Sequence, residues 1–263
     1  MPRPFLRARA LARPLTMLAG TAVMAVGLVG IGAGASGAAK STTTTTTAPP
    51  TVSAADTWLI KAIGAQTKVG SVRVSVITTS GKSKKAFSLL VNGDGEGTGT
   101  LNQDGTKIRM EIAGVLLYIN APKSYWATHA NAAQAKAFGG KWIEISALDH
   151  RFAAFDEFFN PGQLVAAVFY GHAVPLKLSR PKATLMGHKV VMVNESLVTN
   201  GKKTSGQMWI EADGPPRALK IISKGPGQTT TITFSHFGNA VAISIPPEAI
   251  NLTQAQAATA NGG

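Results

Sequence analysis

The hydrophobic period of this chain switches from helical to alternating at Gly70, and the alternation then comes in two separate blocks. Between residues 53 and 71, Ala55, Trp58, Leu59, Ala62, Ile63 and Gln66 recur near helical spacing, with Ser53 or Asp56 placed to cap the start. The first alternating block holds "VRVSVITT" (72–79), "AFSLLVNG" (86–93), "KIRMEIAG" (107–114), "VLLYIN" (115–120), "KSYWATH" (123–129) and "KWIEIS" (141–146). Turns with Gly, Asn, Asp or Pro separate most of them, the pattern of an antiparallel meander. The second block runs through 175–184, 188–199, 206–213, 216–224 and 228–237. A short helix at 131–140 precedes the last strand of the first block. "LDHRFAAFDEFFNPGQLVAAVFYG" (148–171) then reads as two helices broken at Asn160-Pro161-Gly162. Runs of strands with segregated helices predict an α+β fold: an antiparallel sheet of about 11 strands with helices on one face.

The ends differ from this body. Arg3, Arg7, Arg9 and Arg13 precede the apolar run Leu15–Ile31 and then small residues, "GAGASGAAK", the layout of an export signal over residues 1–39. Its cleavage falls at Ala33-Gly34-Ala35 or Gly37-Ala38-Ala39, and an uncleaved anchor is the competing reading. Residues 40–53, rich in Thr and Pro, read as a disordered tether, plain or O-glycosylated. The folded domain is expected over 54–250, with a frayed tail at 251–263. The chain of 263 residues contains no cysteine, which excludes disulfides, thiolate metal sites and a lipidated cysteine. Without the four arginines of residues 1–39, 22 basic and 13 acidic side chains remain, a net charge of +9. Such a balance suits anionic membrane surfaces or acidic wall polymers. Nucleic acid is not an expected partner, because the basic residues are scattered and only 6% of residues are aromatic.

Chemical motifs are sparse. Gly93, Gly95, Gly97 and Gly99 alternate in "NGDGEGTGTLNQD" (92–104), but no lysine follows as a phosphate loop requires. Asn92, Asp94 and Glu96 match the opening of a calcium loop in outline, yet its twelfth position is Gln103, which cannot give a bidentate carboxylate. A hairpin or bulge, with glycine supplying positive φ and room for a bend, is the favoured reading. His129, His150, His172, His188 and His236 show no metal-ligand spacing, so no metal site is expected. Asp149, Asp156 and Glu157 form the one acidic group, read as a solvated face, with a glycosidase pair assembled across the fold left open. No catalytic residue and no cofactor is assigned.

What remains is apolar excess. "VLLYI" and "KVVMV" are apolar on both faces, whereas a sheet covered on one side should alternate. Either this is an ordinary sheet-and-helix core, or a curved sheet and its helical lid enclose a cavity for an apolar ligand. Under the second reading Ile108, Met110 and Ile112 share one strand face, and Leu117 and Ile119 share one face of the next. Phe155 and Phe159, and after the Pro161 break Leu164 and Val168, share helical faces. These nine residues are the expected wall and lid of the cavity.

The chain resembles the LolA-like superfamily, and within it the LppX/LprG lipoproteins of actinobacterial envelopes. The resemblance rests on the signal and tether, the helix ending "KVGSVRVS", the strand–turn–strand "GTGTLNQDGTKIRMEIAGVLLYIN", "GKWIEIS" before the helical insert, and the hairpin "GQMWIEADGPPRALKI". It covers most of residues 54–247. It implies a strongly curved antiparallel half-barrel with helices plugging the concave side, no enzymatic activity, and carriage of lipid or lipoglycan acyl chains across the envelope by a monomer. The missing lipobox cysteine departs from that pattern. An envelope sensor or protein-interaction module on the same fold is the alternative.

Overall fold

Ser53 fixes where the first helix starts. Its hydroxyl accepts from the Asp56 N–H (3.1 Å) while its own N–H donates to the Asp56 carboxylate (3.2 Å), a reciprocal cap. The computed structural model describes residues 52–129, 132–146, 165, 175–181, 184–199 and 202–253. The signal, nearly all of the tether and most of the tail lie outside these residues, as does the 148–171 insert apart from Val165. The first helix, α1 (Ala54–Gln66), turns Ala55, Leu59, Ala62 and Gln66 inward.

The strands of the first block are β1 (Ser71–Ser80), β2 (Ser83–Asn92), β3 (Gly97–Gln103), β4 (Thr106–Ala113) and β5 (Leu116–Asn120). Two short helices, α2 (Lys123–His129) and α3 (Ala132–Phe138), lead to β6 (Trp142–Ser146). Then come β7 (Lys177–Ser179), β8 (Thr184–Leu185), β9 (His188–Thr199), β10 (Lys202–Glu211), β11 (Ala218–Gly225), β12 (Gln228–Ser235) and β13 (Ile250–Asn251). All thirteen belong to one open, curved sheet in the order β13-β6-β5-β4-β3-β2-β1-β12-β11-β10-β9-β7, with β8 paired to β9. Every pairing is antiparallel except β13 with β6. The two meanders join through β1 and β12, where Val74 faces Phe234 and Val76 faces Ile232. The chain between β6 and β7 therefore leaves near one edge of the sheet and returns at the other.

Alternation decides which face is dry. Val72, Val74 and Val76 on β1, Leu89 and Val91 on β2, and Ile232 and Phe234 on β12 are buried in one core cluster. The opposite face carries Arg73, Ser75 and Ser88, where the Ser88 hydroxyl accepts from Arg73 and pairs with the Ser75 hydroxyl. α1 packs against β7, β9 and β11.

The glycine stretch is the β2–β3 turn. Asn92 Oδ1 accepts from the Asp94 N–H (3.0 Å) and the Glu96 N–H (2.9 Å), and its Nδ2 donates to the Glu96 carboxylate (3.2 Å). The oxygens a calcium ion would need are thus partly committed to holding the turn. Gly97 and Gly99 serve packing: a Cβ on either would lie 3.1 Å from Leu89 Cδ1, a fully buried side chain. β3 thereby leaves a slot for Leu89 on the core face.

Two expectations need correction. Residues 123–129 form a helix, not a strand: the Pro122 carbonyl accepts from the N–H groups of Tyr125 (3.0 Å) and Trp126 (3.4 Å). Trp126 stacks edge-on to Phe138 of α3 at 5.4 Å, and that packing outweighs the strand preference of the aromatics. The 175–184 run divides into β7 and β8. On the second face of "VLLYI" the described residues place Tyr118. Tyr118 is buried outside the core cluster, opposite Glu111 and Glu144 in register, on the face that the segment after β12 crosses. That segment is tied down where Gly238 N–H donates to the Ser71 carbonyl (2.9 Å) and where Glu111 accepts a backbone hydrogen bond from Ser244.

Candidate functional site

β4 and β5 bring the five strand residues of the expected wall onto one buried face. Met110 faces Ile119 and Ile112 faces Leu117 across the ladder. With Ile108 they are all 1–2% exposed and belong to the core cluster. Phe155, Phe159, Leu164 and Val168 lie outside the described residues. Val165, in the same insert, is described and is fully buried in that cluster. The wall continues where sequence reasoning did not place it, over Val191 and Val193 on β9, Met208 and Ile210 on β10, and Ile221 on β11. The alternation in "QMWIE" carried that signal, but without apolar excess on the second face it did not stand out.

Two polar groups interrupt this surface. Gln66, on the inward stripe of α1, is 1% exposed, and neither its Nε2 nor its Oε1 has a hydrogen-bond partner. The Trp126 indole N–H is likewise buried and unpaired. Each buried orphan costs about 1–3 kcal/mol, so such groups stand out against a dry wall. Gln66 offers two donors and an acceptor to any polar group that enters beneath α1.

At the C-terminal end of α1 the surface opens into a cleft of about 630 Å³. Ala65, Val69, Pro215, Pro216 and Phe237 form its apolar floor, and Lys61, Lys68 and Arg217 its cationic rim. Arg217 is fixed in place: its guanidinium lies 4.3 Å from the Phe237 ring centroid, and Nε and Nη2 both donate to Glu211 Oε2 (3.0 and 2.8 Å).

Behind Arg217 the structure groups residues that sequence reasoning had scattered. His188 Nδ1 lies 3.0 Å from Glu211 Oε1 and 3.8 Å from Asp213 Oδ1. One donor atom from each of the three falls within 4.8 Å of the others, a geometry that could hold a metal ion and that the expectation of scattered histidines missed. The β9–β10 register, which sets Val190 opposite Glu211, brings His188 and Asp213 together just beyond the paired ends. Glu211 is buried with Arg217 on one oxygen and His188 Nδ1 against the other. Asp149, Asp156 and Glu157 lie outside the described residues.

On the outer face, Glu111 is held above the ordinary carboxylate range by burial, offset in part by hydrogen bonds from Thr98 and Ser244 and by the charge of Arg109. Thr98 Oγ1 donates to its Oε1 (3.0 Å), while Oε2 is buried without a partner. Among the described residues no helix is long and apolar enough to cross a membrane.

The fold defines the class: an open, curved antiparallel sheet, apolar on its concave face, with helices against that face. No family model and no curated protein matches the chain. Among solved structures it is similar to the Mycobacterium tuberculosis lipoprotein LppX, with 10% identity over 72% of this chain and 97% of that one, at a TM-score of 0.46. It is similar to LprF from Mycobacterium bovis, with 15% identity over 73% and 96% of the two chains, at a TM-score of 0.48. A complex of Pseudomonas aeruginosa MucA and MucB matches at 16% identity over 72% of this chain and 59% of that one, with a TM-score of 0.37.

Proposed function

We propose that this protein is a non-enzymatic, exported binder of lipid acyl chains, carrying them on the concave face of its sheet. The observation that supports it is the continuous apolar face of an open sheet, running from Ile108, Met110, Ile112, Leu117 and Ile119 across β1 and β12 to Met208 and Ile210. Phe155, Phe159, Leu164 and Val168 are the proposed lid. Each acyl CH₂ moved from water to such a surface contributes about 0.8 kcal/mol, so a long chain needs few polar contacts to be held. The LolA-like pattern in the sequence points the same way and adds the envelope as the setting, with lipid or lipoglycan as cargo and a monomer as the working unit. The basic surface suits an anionic membrane or wall polymer.

Native mass spectrometry of protein purified from its own host, together with uptake of a fluorescent fatty acid, tests this reading. Co-purifying lipid and saturable uptake are expected; repeated recovery without lipid and without uptake would remove it. A second reading, recognition of a protein partner, is favoured by the near-complete burial of the five wall residues, which a filled core would also give. It gains if uptake is absent while the fold is intact.

A further inference from the structure

We infer that the cleft at the end of α1 is a subsite for the anionic headgroup of a single-chain or double-chain lipid. The inference rests on the carrier reading above and names the chemistry of its ligand. Lys61 lies on α1 and Lys68 in the turn just past its end, and both line the cleft. Both are exposed, and among the described residues neither meets a carboxylate. No acidic residue lines the cleft. The third cation, Arg217, is already matched by Glu211, so the uncompensated charge on the rim belongs to the two lysines.

A free inorganic anion would use that rim but leave the floor without a purpose. Ala65, Val69, Pro215, Pro216 and Phe237 line the same cleft as the cations, and Gly64 and Gly70 add no side chain to obstruct it. Cations above an apolar floor match an amphiphile: an anionic head at the rim and the first methylenes below. A cleft of about 630 Å³ is in the range of small-ligand sites. Its position fits as well. It is bounded by Gly70, just before β1, and by Phe237 and Gly238, just after β12, so it sits at the end of the central strand pair where the two meanders join. Val69 and Phe237 pack against the main core cluster, which connects the floor of the cleft to the concave face.

The test measures binding of three probes to the full-length exported chain and to Lys61→Ala/Lys68→Ala: palmitoyl lysophosphatidylglycerol (anionic), monopalmitin (neutral, same chain) and glycerol 3-phosphate (the head alone). Both lysines are exposed, and circular dichroism with a melting curve checks that the variant keeps its fold. The anionic lipid should bind the parent more tightly than monopalmitin, with a preference that shrinks as salt is raised. The double variant should lose roughly 5–10-fold for the anionic lipid, two exposed charge contacts' worth, and stay within about twofold for monopalmitin. Equal loss for both lipids, or no loss for either, overturns the inference while leaving the carrier reading in place. Glycerol 3-phosphate binding as tightly as the lipid also overturns it, in favour of a free-anion site. Binding of neither lipid by the parent removes the carrier reading itself and this inference with it; an acidic peptide retained by the same lysines would then identify the cleft as a protein-docking surface.

Discussion

Replacing Gln66 with methionine should make the protein more stable. Gln66 is buried on the inward stripe of α1 with both amide heteroatoms unpaired. Methionine has similar length and flexibility, adds no new branch to a helical position, and removes the polar atoms. Each orphaned group costs about 1–3 kcal/mol, so relief of two gives a nominal gain of about 2–6 kcal/mol. Imperfect repacking around the thioether offsets part of that, typically by less than about 1.5 kcal/mol. A net gain of about 2 kcal/mol is the working value, which for a domain of this size raises the melting temperature by roughly 4–8 °C. Calorimetry or urea denaturation of parent and variant reads it directly, with an unchanged urea m-value as evidence that the denatured state was not altered. A lower midpoint would refute the reasoning: it would mean that the Gln66 amide is satisfied in the ligand-free protein, by a buried water for example, and that the helix face is not waiting for a polar partner.

Leu117→Trp tests the wall. In a filled core the added volume should cost about 1–3 kcal/mol, whereas at a cavity wall the fold should survive and fatty-acid uptake should fall; normal folding with normal uptake would remove Leu117 from the site. Glu111→Gln should raise the melting temperature at pH 7, because burial raises the folded-state pKa of Glu111 above its ordinary 4.5. A raised carboxyl favours the fold while protonated and loses that contribution as pH climbs through the folded pKa, so the gap between variant and parent should close on titration to about pH 4, and a gap independent of pH would contradict it. Gly99→Ala should destabilise by about 1–3 kcal/mol, since the new Cβ would clash with the Ser88 carbonyl oxygen and crowd the Leu89 Cα, both backbone atoms that cannot rotate away. Asp94→Asn with Glu96→Gln should leave lipid uptake unchanged with or without calcium; a calcium-dependent loss would restore the metal reading of that turn.

The strands were legible because each obeys a local rule. Alternation in "KIRMEIAG" assigns Ile108, Met110 and Ile112 to one face whatever the strand pairs with, and they are buried together. Pairing across long separations was not legible. Nothing near Val74 announces Phe234, yet that register joins the two meanders. The α2 helix was misread because Tyr125 and Trp126 favour strands, while the contact with Phe138 that decides the matter comes from a later helix. His188, Glu211 and Asp213 looked scattered because only the β9–β10 hairpin brings their ends together. Gln66 was counted as one more residue on a helical stripe; its position was right, but the lack of a partner is a property of the packed state.

These failures bear on which residues can reveal the function. Met110 and Leu117 belong to the core cluster as well as to the proposed wall, so a charge placed there should unfold the protein before it reports on a ligand, because an unpaired buried charge is the larger penalty. Met110→Glu would therefore abolish uptake whether or not Met110 touches a ligand. Lys61 and Lys68 are exposed, and the one described side-chain contact of either is the Lys61 ammonium 5.5 Å from the Trp58 ring centroid, so their loss should cost little stability. Gln66 lies between these extremes: it is buried like the wall and polar like the rim, and its removal should separate stability from binding in opposite directions. A carrier must keep a surface dry enough to take a chain and yet remain folded when the chain is gone. A buried amide with no partner is the kind of local inconsistency that such a compromise leaves behind. If methionine at position 66 stabilises the empty protein and the lysine pair alone controls charge preference, the same fold will have kept its stability and its selectivity on different residues.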